Sequence, residues 1–142
     1  SDYPETQEIY RSCIGRKPVL GICLGFQLML ETEGARIQRQ SQVLHGIETE
    51  IETLPNSMTY KGLPAGIRVA RYHSLQVDPA SLVALPESIS MTGRDPIRDV
   101  PLSFEDLTRK LFGLQYHPES FLTEGGNRLI ENIRNACVDE IG

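Results

Sequence analysis

The stretch GICLGFQ (21–27) decides the fold class, because a cysteine stands between two glycines where an apolar run becomes a helix-like pattern. The run PVLGI (18–22) is short, unbroken and apolar, which predicts a strand buried on both faces of a parallel sheet. From Gly25 to about Glu33 the apolar residues return at helical spacing, and Gly34 is a natural helix end. A buried strand, a sharp turn and a helix in this order predict an α/β fold.

The cysteine in this turn has two interpretations. A Gly-x-Cys-x-Gly sequence between a strand and a helix is the cysteine counterpart of the nucleophile elbow, in which a strained turn lifts the side chain clear of the sheet. Gly21 and Gly25 would let the strand and the helix approach closely. The N–H groups that begin the helix would favour the thiolate of Cys23 and bind an oxyanion. The alternative is that Cys23 is one more small apolar residue of a core, as cysteine often is.

The remaining chain adds helices at both ends and strands between them. Start and stop signals, with a proline and acidic residues in the first turn, predict a helix over residues 4–12, and amphipathic spacing predicts one over 124–137. Residues 94–110 are polar and predict a surface excursion with a short helix near 103–110. No repeat or linker divides the chain, so one domain is expected over residues 1–142. Short segments separated by Pro, Gly and Asn predict a half-buried antiparallel or mixed layer over 35–40, 46–54, 66–77, 82–86 and 88–93, and an apolar strand that ends in a polar turn lies in 110–120.

Composition limits the function classes that need to be considered. The 142 residues are 39% hydrophobic, which is enough for a core, and the net charge is −5. An acidic chain has no basic excess for general nucleic-acid or anionic-membrane binding, so neither partner is expected. The sequence contains no apolar run of membrane-span length and no signal-peptide pattern in residues 1–10, which predicts a cytoplasmic protein. Three cysteines without C-x-x-C spacing predict free thiols.

A second polar motif, YHPES (116–120), follows the last predicted strand. His117 and Glu119 are two residues apart in an extended segment, so both side chains project from one face. A carboxylate beside an imidazole can orient the ring and stabilise its charged form, as the third group of a nucleophilic triad does. The alternative is a solvated surface pair. Cys23 and His117 each follow the carboxyl end of an apolar strand, where α/β sheets place their active crevice, so both can face the same crevice.

Three segments carry a resemblance to a known family: GICLGFQ (21–27), RYHSL (71–75) and GLQYHPESFLTEGGNRLIENI (113–133). In this order and spacing they resemble the class I (triad) glutamine amidotransferases. RYHSL, and HPES followed by T-x-x-G, are most similar to the branch that holds the glutaminase subunit, component II, of anthranilate synthase and aminodeoxychorismate (para-aminobenzoate) synthase. The resemblance covers about residues 1–135. It implies a flavodoxin-like sheet with helices on both faces and a small additional antiparallel or mixed sheet.

The resemblance also implies a role for each matching residue. Cys23 would be the nucleophile, His117 the general base and acid, and Glu119 the carboxylate that orients His117. The backbone of Leu24 would supply an oxyanion donor. The resemblance further implies that bound glutamine is contacted by Gln27, Ser74 and Leu75.

The function implied is glutamine hydrolysis, with ammonia passed to a chorismate-binding synthase subunit and with no cofactor or metal in this chain. Whether the product is anthranilate or aminodeoxychorismate is decided by that partner's active site. Two alternatives belong to other classes: a non-catalytic regulatory subunit of the same fold, and a stand-alone hydrolase of γ-glutamyl peptides.

Two departures from the family pattern stand out. Phe26 occupies a position where family members commonly carry histidine, and we expect it to change packing or a partner contact and to leave the chemistry intact. The family also begins with a strand, a helix and a P-G-P-G turn that supplies oxyanion-binding backbone, whereas this sequence starts at SDYPE (1–5). We therefore expect an N-terminally incomplete domain and favour further residues in the molecule over a truncated form, because a sheet without its first strand exposes apolar surface and unpaired edges.

The other cysteines and histidines are predicted to be structural. Cys13 and Cys137 lie in predicted helices, where packing is the usual role of a thiol. His45 and His73 could be imagined in a metal cluster with Cys23 and His117, but no short ligand spacing supports one. His73 shares a loop with Ser74 and is expected to help shape the glutamine pocket.

Overall fold

The chain folds around a curled six-stranded sheet, as seen in a computed structural model that describes residues 3–40, 47–120 and 122–138. This part of the chain also contains three α-helices and one 3₁₀ helix. In chain order the elements are α1 (Pro4–Cys13), β1 (Val19–Ile22), α2 (Leu24–Thr32), β2 (Ile37–Arg39), β3 (Ile47–Thr53), β4 (Gly66–Arg71), β5 (Leu75–Val77), the 3₁₀ helix (Pro79–Ala84), β6 (Ser90–Arg94), β7 (Pro101–Asp106), β8 (Leu111–Leu114) and α3 (Gly126–Val138).

The main sheet has the order β1-β8-β7-β6-β3-β4, and β2 pairs with β5 in a separate two-stranded sheet. The β1–β8 pair is parallel and in register from Val19 opposite Leu111 to Ile22 opposite Leu114. The other paired strands of both sheets are antiparallel. The α/β class and the small second sheet are confirmed. Most of the strands predicted for the middle layer extend the main sheet, and among the described residues only β2 and β5 form the small one.

Helices cover both faces of the sheet. Neighbouring residues of β8 point to opposite faces, so β8 contributes side chains to an apolar cluster on each face. Leu111 packs in one apolar cluster with Phe26 of α2, and Phe112 packs in a second cluster with Leu129 of α3. Phe26 is fully buried, and its ring centroid lies 6.0 Å from that of Phe104. Between the two effects expected of Phe26, the structure therefore supports packing, since a side chain without exposed surface offers nothing to a partner.

The predicted surface excursion over 94–110 holds for residues 94–99, which are mostly exposed, and is wrong for 101–106, which form the fully buried strand β7. Two of the charges that suggested solvent exposure, those of Glu105 and Asp106, are paired inside the fold. Glu105 accepts hydrogen bonds from the backbone N–H and the hydroxyl of Thr59, at 3.0 and 2.8 Å. Asp106 accepts a hydrogen bond of 2.7 Å from the Nε of Arg109. Buried carboxylates with such partners are tolerated in a sheet, and composition alone does not reveal the partners.

Two further strand predictions are corrected. Residues 82–86 do not form a strand; Pro79–Ala84 is a 3₁₀ helix that begins at Asp78, whose carboxylate accepts the N–H of Ala80 at 3.0 Å. Residues 66–77 do not form one strand either. They divide into β4 and β5, which belong to different sheets, and residues 72–74 are the loop between them.

Three of the four predicted helices are confirmed within two residues at each described end. The short helix predicted near 103–110 is wrong, because 103–106 belong to β7 and 107–110 form a turn. In residues 3–40, 47–120 and 122–138 no helix has the length and apolar character needed to cross a bilayer.

Candidate active site

Cys23 occupies a strained turn between β1 and α2. Its φ of 57° and ψ of −107° lie where non-glycine residues are uncommon. The N–H of Cys23 donates to the carbonyl oxygen of Leu114 at 2.8 Å, and its own carbonyl accepts the N–H of Gln27 at 3.2 Å. The residue is thus held by β8 on one side and by the first turn of α2 on the other. This is the elbow that the sequence predicted.

Of the two glycines around the elbow, only Gly21 is needed for a close approach. A Cβ at Gly21 would lie 2.4 Å from the sulfur of Met29 and 2.7 Å from the backbone carbon of Gly25. A Cβ at Gly25 would meet nothing within 4 Å. The prediction that both glycines permit the contact between strand and helix is therefore correct for Gly21. It is wrong for Gly25, because a side chain there would not obstruct the contact, which Gly25 makes through its backbone.

Burial controls the ionisation of the thiol. It raises the pKa of Cys23 above the ordinary value, and a hydrogen bond from the backbone of Leu24 opposes it without reversing the shift. The side-chain amide of Gln115 also approaches the sulfur, with Nε2 at 3.9 Å. The expected preference for thiolate at the helix start is thus outweighed by desolvation. A nucleophilic thiol here needs a base to take its proton.

His117 and Glu119 form an ion-pair geometry at the end of β8. The Nδ1 of His117 lies 2.8 Å from Oε1 of Glu119, and the two side chains are 41% and 58% exposed. The turn between them is stabilised by a hydrogen bond from the hydroxyl of Thr123 to the carbonyl of His117, at 2.8 Å. A Cβ at Gly126 would come within 1.8 Å of the carbonyl oxygen of Pro118, so this glycine lets α3 support the turn directly.

The register of β1 and β8 brings the two motifs to one edge of the sheet. Ile22 and Leu114 are opposite each other at the ends of parallel strands. Cys23 is the next residue after β1, and His117 follows the end of β8 by three residues. Glu119 binds Nδ1 of His117, so Nε2 is the ring nitrogen left to exchange a proton with a thiol or a leaving group.

The predicted glutamine-contacting residues lie on the α2 side of this edge. Gln27 is buried and donates from Nε2 to Oε1 of Gln115 at 2.9 Å and to the carbonyl of Leu75 at 3.2 Å. Leu24 and Leu75, both exposed, line a cavity of about 340 Å³ together with Gln27, which none of the triad candidates lines. Ser74 is exposed in the 72–74 loop and accepts the N–H of Gln40 at 3.0 Å.

The same loop reaches the predicted base. The ring of Tyr72 meets that of His117 edge to face, with centroids 6.5 Å apart and an interplanar angle of 81°. Tyr72 is half exposed, so its ring forms an accessible wall beside the imidazole. The loop thus contacts His117 through Tyr72, and Leu75, the residue that follows the loop in β5, contacts Gln27. The segment 72–75 therefore connects the two halves of the site.

Sequence reasoning missed three residues that organise this site. Gln115 bridges Cys23 and Gln27, and Thr123 and Gly126 support the His117 turn. A glutamine at the end of an otherwise apolar strand was the available signal for Gln115, because such a group must find buried partners. Thr123 and Gly126 belong to the T-x-x-G pattern that had served only to carry the resemblance.

The imagined metal cluster finds no support in the described part of the chain. Within residues 3–40, 47–120 and 122–138, no three His, Cys, Asp or Glu side chains are placed to hold a metal ion. His73 is buried and hydrogen-bonded to Arg71 and Leu75, as a structural histidine would be. Cys13 and Cys137 are half-buried free thiols. His45 lies outside the described residues.

The sequence and the fold are those of one known family. The model of the family described as Glutamine amidotransferase class-I matches residues 1–136. The chain belongs to the class I glutamine amidotransferases.

Two relatives match this chain over most of its length. The chain is 35% identical over 136 residues to anthranilate synthase component 2 of Lactococcus lactis, which covers 95% of this chain and 67% of the relative. It is 36% identical over 126 residues to aminodeoxychorismate synthase component 2 of Escherichia coli, which covers 89% of this chain and 65% of the relative. The chain thus spans about two thirds of the length of these relatives.

Solved structures agree on the fold. A putative GMP synthase subunit from Thermoplasma acidophilum superposes with a TM-score of 0.74 at 25% identity, over 87% of this chain and 59% of that one. A glutamine amidotransferase from Thermotoga maritima gives a TM-score of 0.63 at 24% identity, over 99% of this chain and 54% of that one.

Proposed function

We propose that the protein is a glutaminase subunit that hydrolyses glutamine through Cys23, His117 and Glu119 and supplies ammonia to a chorismate-aminating synthase. The observation that carries the proposal is the parallel register of β1 and β8, which sets the Cys23 elbow and the His117–Glu119 pair at one edge of the sheet. Family membership supports the same assignment.

In the first half-reaction His117 takes the proton of Cys23, because burial keeps the thiol protonated at neutral pH. The thiolate attacks the side-chain amide carbon of glutamine, and the backbone N–H of Leu24 stabilises the oxyanion. The C–N bond then breaks as His117 returns its proton to the departing ammonia. A γ-glutamyl thioester on Cys23 remains.

In the second half-reaction His117 removes a proton from water, which attacks the thioester carbon. Glutamate leaves and the thiol of Cys23 is regenerated with the proton from His117. Glu119 accepts the hydrogen bond from the Nδ1–H of His117 throughout, and it stabilises the imidazolium that forms in each half-reaction. Gln27, Ser74 and Leu75 would bind the substrate from the α2 side, with the last two acting through main-chain groups.

The proposed acceptor of ammonia is a chorismate-binding synthase subunit. The support is the names of the relatives, which are component 2 of anthranilate synthase and of aminodeoxychorismate synthase. The cytoplasmic location and the absence of a cofactor stay predictions.

The experiment that tests the function measures glutamine-dependent ammonia release, with and without a chorismate-binding synthase. Wild type is compared with Cys23→Ser, and Cys13→Ser and Cys137→Ser serve as matched controls, because both thiols are free and half-buried elsewhere. We expect loss of activity only in Cys23→Ser. Equal inactivity of wild type and Cys23→Ser in the presence of the synthase would favour the non-catalytic subunit, and full activity without any synthase would favour the stand-alone hydrolase.

A further inference from the structure

A buried ion pair between Arg71 and Asp95 lies at the start of the 72–74 loop. Arg71, the last residue of β4, is 4% exposed, and its Nη1 contacts Oδ2 of Asp95 at 2.9 Å. Asp95 follows β6 directly and also accepts the backbone N–H groups of Ile97 and Arg98 at 2.9 and 3.2 Å. The guanidinium is therefore anchored to a part of the main sheet that lies outside the 72–74 loop.

The same guanidinium determines the state of His73. Its Nε donates to Nε2 of His73 at 3.1 Å, and arginine can only donate, so Nε2 must be an unprotonated acceptor. The ring proton is then on Nδ1, which donates to the carbonyl oxygen of Leu75 at 2.8 Å. Burial, aided by the charge of Arg71, lowers the pKa of His73 to about 4. His73 is thus neutral at physiological pH, with one defined tautomer.

The carbonyl of Leu75 connects this network to the nucleophile. It accepts a second hydrogen bond from Nε2 of Gln27 at 3.2 Å, and the same nitrogen binds Gln115, whose amide approaches the sulfur of Cys23. A second contact also holds the loop, because Nε2 of Gln40 donates to the carbonyl of His73. Continuous hydrogen bonds therefore run from Asp95 to the thiol.

We propose that Asp95, Arg71 and His73 form a positioning chain that fixes the main chain at Ser74 and Leu75 for the capture of substrate glutamine. None of the three touches the reacting atoms in this assignment. The inference rests on the proposed function, because the loop positioned here is the one assigned to glutamine. A network with only a structural role would change stability when broken, whereas a positioning chain changes glutamine affinity at constant nucleophile reactivity.

The first test measures the protonation state of His73 in the wild-type protein, in which the hydrogen-bond network is intact, and uses variants only to assign signals. The chain has three histidines, so the ¹⁵N shifts of their rings can be assigned by substitution. At about pH 5.5, between the ordinary and the lowered value, we expect His73 to be neutral with Nδ1 protonated and Nε2 bare. A charged ring, or the opposite tautomer, at that pH would overturn the proposal.

The second test separates affinity from reactivity. Arg71→Lys removes the Nε donor, and Asp95→Asn removes the charge that anchors it. In both we expect the KM for glutamine to rise about tenfold or more, as for one lost charge-assisted hydrogen bond. The rate of Cys23 alkylation by iodoacetamide, which carries no glutamine group, should stay near the wild-type rate. Reduced thermal stability of these variants with an unchanged KM for glutamine would contradict the positioning role.

Matched controls exist on the same elements. Arg68→Lys changes an arginine of β4 that is exposed and paired with Glu48, and Asp99→Asn changes an exposed aspartate paired with Arg94. Both should keep the wild-type KM.

Failure of this inference is distinguishable from failure of the proposed function. An active wild type whose Arg71→Lys variant keeps its KM contradicts the positioning chain alone. A wild type without glutaminase activity contradicts the proposed function and, with it, the role of the chain. Glutamine binding to Cys23→Ala, measured by calorimetry with and without Arg71→Lys, gives the same affinity comparison without turnover.

Discussion

The side-chain amide of Gln115 lies 3.9 Å from the sulfur of Cys23, although the two residues are 92 positions apart in the chain. Gln115 is 2% exposed, and its amide oxygen accepts from Gln27, which orients the amide nitrogen towards the thiol. A neutral donor at this position stabilises a thiolate without adding a permanent positive charge. It therefore supports the nucleophile only after the proton has left.

The first prediction concerns this donor. Replacing Gln115 by leucine removes it, so we expect the pKa of the Cys23 thiol to rise further and the alkylation rate at neutral pH to fall. The pH dependence of iodoacetamide alkylation measures this in a Cys13→Ser, Cys137→Ser background, where Cys23 alone reacts. Gln38→Leu on the exposed face of β2 is the control. An unchanged alkylation profile in the Gln115 variant would show that the amide does not act on the sulfur.

The second prediction concerns the carboxylate of the triad. Glu119→Gln should lower kcat by about 10²- to 10⁴-fold, because the ring of His117 loses the group that selects its tautomer and stabilises its charge. The free energy of unfolding should change by less than about 1 kcal/mol, since both partners are substantially exposed. Steady-state kinetics and urea unfolding measure the two quantities. Glu87→Gln in an exposed turn is the control, and equal kcat values in the two variants would remove Glu119 from the mechanism.

The third prediction separates the two glycines of the elbow. Gly21→Ala places a methyl group against Met29 and the backbone of Gly25, so we expect it to cost about 1–3 kcal/mol of stability. Gly25→Ala enters open space in a helix and should be neutral or stabilising by up to about 1 kcal/mol, because alanine favours the helix. Urea unfolding of both variants measures the difference. Equal stabilities would contradict the close approach at Gly21.

The fourth prediction concerns pH and His73. Its pKa of about 4 in the folded state lies below the ordinary value of 6.5, so between these pH values the unfolded chain binds the proton and the folded chain does not. The stability from neutral His73 is therefore present above pH 6.5 and is lost as the pH falls towards 4, by about 3 kcal/mol in total.

The difference between wild type and His73→Asn isolates this contribution, because asparagine does not titrate and carboxylates elsewhere titrate in both proteins. Denaturant unfolding at several pH values should give a stability gap that narrows as the pH falls from 6.5 to 4. A gap that is constant over this range would mean that His73 titrates normally in the folded protein.

Local patterns in the sequence were sufficient for the helices and for the elbow. The periodicity of α2 and α3, and the glycine–cysteine–glycine turn after β1, are properties of neighbouring residues, and the structure confirms them. The segment 94–110 failed for the opposite reason. Its charges were interpreted as exposed, whereas Glu105 is bonded to Thr59 and Asp106 to Ser88, which are distant in sequence and belong to no local pattern.

The sequence by itself determined the α/β class, the family resemblance and the identity of Cys23, His117 and Glu119 as a candidate triad, because these depend on residue type and spacing along the chain. Tertiary structure decided the rest. It set the order of the strands, the direction of the thiol pKa and the path from Asp95 through His73 to Gln27. The physical reason is that burial and hydrogen-bond partners arise between residues that are distant in sequence and meet only when the helices pack on the two faces of the sheet.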